Sequence, residues 1–72
     1  MIIDTRGKVC PEPLIMTKRA ISNASEGSRL EIIGNNAVVR YNVSTYLSLL
    51  GFQPECIVSE EIDDEFRIIF NS

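Results

Sequence analysis

Residues 1–21 read MIIDTRGKVCPEPLIMTKRAI, and the change of period inside this stretch decides the fold. The opening MIIDT is a short apolar run of strand type, ended by the turn-prone pair Arg6-Gly7. From Pro11 onward the period is helical. At about 100° per residue, Pro13, Leu14, Met16, Thr17, Ala20, Ile21 and Ala24 form one continuous arc, with Lys18, Arg19, Ser22, Asn23 and Glu26 opposite. Ile15 is the one apolar residue on the polar side. The expected helix covers residues 11–25 and stops at Glu26-Gly27-Ser28.

Working outward, RLEII (residues 29–33) alternates Leu30 and Ile32 against Arg29 and Glu31 as a half-buried strand does, with Ile33 breaking the rule. Gly34-Asn35-Asn36 punctuates it. Val39, Val43, Tyr46, Leu47 and Leu50 then mark a second helix, running from an asparagine cap to Gly51. ECIVS and EFRIIF read as two strands joined in a hairpin across residues 60–65. The order β-α-β-α-β-β predicts an α+β fold: a two-layer sandwich with both helices on one face of a four-stranded mixed sheet, one domain over residues 1–72. Alternation turns Phe66, Ile68 and Phe70 toward the helices. It sends Ile33, Ile57 and Ile69 to the open face, where a contiguous patch would support dimerisation or docking. Cys56 alternates with Val58 and reads as a core cysteine.

Composition narrows the function. A 72-residue chain, 44% apolar and 24% charged, fits one small soluble domain that buries about 60% of its unfolded surface. No apolar run approaches membrane-spanning length, and the N-terminus lacks the pattern of a secretory signal, so a cytoplasmic protein with reduced thiols is expected. The net charge is −3 and the five lysines and arginines before residue 30 are scattered, which argues against direct nucleic-acid binding. There is no histidine, so Cys-His catalysis and His-ligated metals are excluded. Cys10 and Cys56 form neither a zinc spacing nor a Cys-x-x-Cys pair. The run Glu60-Glu61-Ile62-Asp63-Asp64-Glu65 reads as a solvated turn, able to take a hard cation only if its side chains converge. No metal or cofactor is expected.

Attention therefore falls on Cys10. With Cys10 at the N-cap, Pro11 takes the first helical position and Pro13 the third, which deletes two of the donors a helix start normally leaves free. The Glu12 N–H is then placed to meet the sulfur, and the helix dipole, with Arg6 and Lys8 nearby, favours the thiolate; Glu12 opposes it. This predicts a nucleophilic, solvent-open thiol on a rigid tip. The same spacing also suits a small buried hydrophobe whose prolines only fix the helix start. Ile15, with Lys18 and Arg19, is a candidate grip for a protein partner.

The run DTRGKVCPEPLIMTKRAI resembles the signature of the TusA/SirA-like sulfur-carrier family, with Asp4, Gly7, Cys10, Pro11 and Pro13 matching its Asp-x-x-Gly-x-x-Cys-Pro-x-Pro pattern. The resemblance covers nearly the whole chain. It implies a fold similar to the C-terminal domain of translation initiation factor three, and a persulfide relay in which Cys10 accepts a sulfane sulfur from a cysteine desulfurase or similar donor. The sulfur would pass to an acceptor protein, such as a DsrE-like one, from a monomer or weak dimer. Asn35-Asn36-Ala37 and Tyr41-Asn42 differ from the Asp-Asp-Pro and Arg-Asp of TusA-type chains, whose pathway ends in tRNA thiolation. NNAVVRYNVSTYLSLLGF is closer to YedF-type domains associated with selenium metabolism. Other readings stay open at this point. One is a non-catalytic interaction module, and the other a redox sensor in which Cys10 forms sulfenic acid or a disulfide with Cys56.

Overall fold

The computed structural model describes residues 1–61 and 64–72. Its elements are β1 (Ile2–Asp4), α1 (Glu12–Asn23), β2 (Arg29–Gly34), α2 (Ala37–Leu49), β3 (Glu55–Val58) and β4 (Phe66–Asn71). The strands form one four-stranded sheet in the order β1-β2-β4-β3. β1 runs parallel to β2, while β4 is antiparallel to both β2 and β3. The predicted order, class and mixed sheet are all present.

Register explains the core. Ile3 pairs with Ile32 and Ile32 with Ile68, while Leu30 pairs with Phe70. These side chains share one face, and all are buried together with Ala20 of α1 and Val39, Val43 and Leu47 of α2. Asn36 caps α2, its Oδ1 accepting from Val38 N at 2.8 Å and Val39 N at 3.4 Å. The far end closes as expected at Gly51 (φ +92°): Gly51 N–H donates to Ser48 O and Phe52 N–H to Leu47 O, a Schellman closure.

The structure corrects three expectations. α1 begins at Glu12 with Pro11 as its N-cap, so Pro13 is the second helical residue and Cys10 lies just outside the helix. The physical reason is a preceding turn, in which Glu12 N–H donates to Val9 O at 3.0 Å and is no longer free for the sulfur. At the other end α1 stops at Asn23 with an extended Ala24 cap, short of residue 25. Cys56 is exposed, not core. It pairs with Ile68 and so faces the helix side, but β3 is an edge strand, and all four of its residues are exposed.

The open face is mixed in character. Ile33 and Ile69 are half-buried and Ile57 is 48% exposed. Arg67 and Glu31 join across this face at 3.2 Å, so its isoleucines are interleaved with charge. The β3–β4 hairpin is present, with Ser59 N–H donating to Glu65 O at 2.8 Å; Ile62 and Asp63 of the acidic run lie outside the described residues. Among the described residues no acidic side chains gather into a cation site.

Candidate functional site

The segment between β1 and α1 is fastened at each step. Thr5 is buried, and both its N–H and its hydroxyl donate to Ile33 O, at 2.7 and 2.8 Å. Lys8 N–H returns to Thr5 O at 3.1 Å, closing a turn whose third residue is Gly7 at φ +78°, a conformation a β-carbon would penalise. Gly7 N–H donates to Asn35 Oδ1 at 3.2 Å, tying this turn to the start of α2. The chain then reaches Cys10 and Pro11, and Ile15 N–H donates to Pro11 O at 3.1 Å as α1 begins.

Cys10 is half-buried and rests against the core cluster instead of standing open to solvent. Among the described residues, the donor that reaches its Sγ is Asn42 Nδ2 of α2, at 3.0 Å. Asn42 is half-buried between Val39 and Val43, whose burial in the core fixes the pose of α2. One turn before Asn42 and beside it on the same helix, Val38 and Tyr41 are exposed, as is Val9 next to the cysteine. The sulfur thus sits at the junction of the β1–α1 segment and α2.

The charges expected to face the sulfur are engaged elsewhere. Arg6 grips Asp4 through two guanidinium hydrogen bonds, Nε to Oδ1 at 3.0 Å and Nη2 to Oδ2 at 2.8 Å, and its backbone N–H also donates to Oδ1 at 3.0 Å. Lys8 pairs with Glu12 at 3.6 Å. The Arg6 side-chain hydrogen bonds, aided by its backbone N–H, hold the Asp4 carboxyl down at about 2, and Asp4 in turn raises the Arg6 guanidinium. The folded value lies below the ordinary 3.8, so this pair supports the fold above that value and its contribution disappears as pH falls through about 2. The melting temperature of the native chain should therefore fall further than that of Asp4→Asn over this acid window. Parallel acid profiles for the two would mean that the pair does not hold the loop.

Pro11 and Glu12 are exposed and Pro13 is buried, so the motif residues divide between surface and core. Ile15 is 48% exposed, with Lys18 and Arg19 exposed on the same helix. Cys56 lies on the edge strand opposite β1, whose exit carries Cys10, and both cysteines are free. Sequence reasoning missed Asn42, Asn35 and Thr5 as site residues. The asparagines did stand out as departures from the TusA-type pattern, which was the available signal.

A mixed two-layer sandwich with a proline-flanked thiol held just before its first helix defines a small thiol-bearing α+β fold. The chain belongs to the TusA family: the family model described as sulfurtransferase TusA matches residues 1–71. A Methanocaldococcus jannaschii protein named as a candidate sulfur carrier is 30% identical over 67 residues, covering 93% of this chain and 87% of that one. The sulfur carrier protein TusA of Pseudomonas putida is 29% identical over 52 residues, covering 72% of this chain and 65% of its own length. The crystal structure of a SirA-like protein from Desulfitobacterium hafniense superposes with a TM-score of 0.83 at 26% identity, covering 100% of this chain and 97% of that one.

Proposed function

We propose that this protein is a sulfur carrier, holding a sulfane sulfur as a persulfide on Cys10 between a donor and an acceptor protein. The observation that carries this reading is the seat of Cys10 Sγ, anchored against the core and met by an N–H donor at 3.0 Å. A negatively charged sulfur can rest there without a histidine, and the chain has none. In loading, the Cys10 thiolate attacks the terminal sulfur of a donor persulfide: a new S–S bond forms, the old one breaks, and the donor leaves as a thiolate. There is no net oxidation.

A cysteine desulfurase or a similar persulfide enzyme suits the donor role, and a thiol protein such as a DsrE-like one the acceptor role. Ile15, Lys18 and Arg19 are the proposed contacts for these partners. The reading places the protein in the cytoplasm, where its thiols stay reduced. No helix among the described residues is long and apolar enough to cross a membrane. The asparagine-rich start of α2 favours a selenium- or sulfur-handling route over tRNA thiolation. Incubation with a cysteine desulfurase and cysteine, followed by intact mass, should show a gain of one sulfur atom that is removed by reductant. A mass that stays unchanged with every persulfide donor tried would reject the carrier role.

A further inference from the structure

We propose that Asn42 is a second working residue of the transfer site, receiving the negative charge that returns to Cys10 Sγ when the sulfur is handed on. This rests on the carrier reading and adds to it a residue with a distinct task. The geometry is direct: Asn42 Nδ2 donates to Sγ at 3.0 Å from a position on α2, 32 residues away in sequence. The nearby cations do not compete for the task, because Arg6 is held by Asp4 and Lys8 by Glu12. Among the described residues, the donor that reaches this sulfur is a neutral amide.

The consequence follows from where the charge sits. In the loaded state the anion is on the outer sulfur, one bond beyond Sγ, and the Asn42 N–H faces a nearly neutral atom. When an acceptor thiolate attacks that outer sulfur, the acceptor–sulfur bond forms and the outer sulfur–Sγ bond breaks. The electron pair of the broken bond stays on Sγ, so two negative charges are present before, on the acceptor thiolate and the outer sulfur, and two after, on the new acceptor persulfide and Sγ. The hydrogen bond from Asn42 becomes charge-assisted only as the sulfur leaves. It lowers the barrier to release and makes Cys10 a carrier that lets go, instead of a store.

The test uses the full chain, loaded by inorganic polysulfide, freed of excess reagent and then chased with cyanide, which takes the outer sulfur as thiocyanate and leaves the Cys10 thiolate. Asn42→Ala should slow thiocyanate release by about tenfold, the fold-change of roughly 1.4 kcal/mol expected when a hydrogen bond to a charged group is removed. Asn42→Asp, which keeps the shape but replaces the donor by an anion, should be slower still. In the unloaded chain the iodoacetamide rate of Cys10 should fall in both variants, with its rate-against-pH profile displaced to higher pH. A purely structural role for Asn42 would not produce that displacement or the Asp-below-Ala order. Release rates and alkylation profiles unchanged in both folded variants would overturn the role of Asn42 and leave the carrier reading standing. Failure of the native chain to take up sulfur would strike the carrier reading instead, and the alkylation profiles would still decide for or against the hydrogen bond.

Discussion

Cys10→Ser is expected to abolish sulfur uptake completely while leaving the domain folded. A serine hydroxyl is not ionised near neutral pH and cannot replace a thiolate in exchange with a persulfide, so the loss should be all-or-none and not graded. The stability cost should be modest, about 1 kcal/mol, because the residue is only half-buried and the backbone around it is held by Thr5, Gly7 and Val9. Cys56→Ser is the matched control. Cys56 is exposed on an edge strand, and its removal should change neither uptake nor stability. Intact mass after loading, read beside a urea titration, separates the outcomes. Uptake that survives in Cys10→Ser and vanishes in Cys56→Ser would move the site to β3. Loss in both would point to a Cys10–Cys56 exchange, which the separation of the two across the sheet does not favour.

The two thiols also show what the sequence could convey. Helical period gave the arc of α1 correctly, because Pro13, Thr17 and Ala20 are buried and Ile15 is exposed. Alternation likewise placed Phe66, Ile68 and Phe70 inward. For Cys56 the same alternation gave the right face and the wrong environment: period assigns a side of the sheet, but strand order decides whether a helix covers that side. The Asn42–Cys10 contact was hidden for a related reason. No local pattern encodes a hydrogen bond between residues 32 apart, and the asparagines at 35, 36 and 42 could be seen as unusual before they could be assigned. In the folded chain Asn35, just before α2, accepts from Gly7, Asn36 caps α2 and Asn42, within α2, donates to the sulfur, so the three amides have three different tasks. The shift of the α1 cap from Cys10 to Pro11 has a local cause that spacing does not reveal, since the Val9 carbonyl satisfies the Glu12 amide first.

Phe66→Ala should be the most damaging core change for the site as well as the fold. Phe66 is 1% exposed and pairs with Gly34 across the β2–β4 ladder. A β-carbon on Gly34 would overlap the Phe66 ring and lie 2.9 Å from Thr5 Oγ1, so the ring fills the space above Gly34 and borders Thr5. Truncation opens a cavity at that point and should cost about 3–5 kcal/mol. Total stability for a chain of this length is on the order of 4–11 kcal/mol, so the variant would be marginal at best. The damage should also spread toward the thiol. Thr5 anchors the segment that carries Cys10 through two hydrogen bonds to Ile33 O, and a loosened Thr5 frees the turn at Gly7. A urea titration should show the midpoint falling with little change in slope, and amide exchange should quicken at Thr5 and Lys8 before the outer β3 strand responds. Ile57→Ala, on the exposed edge strand, should stay within about 0.5 kcal/mol of the native chain. A loss below about 1 kcal/mol for Phe66→Ala would show that the ring does not support this end of the sheet.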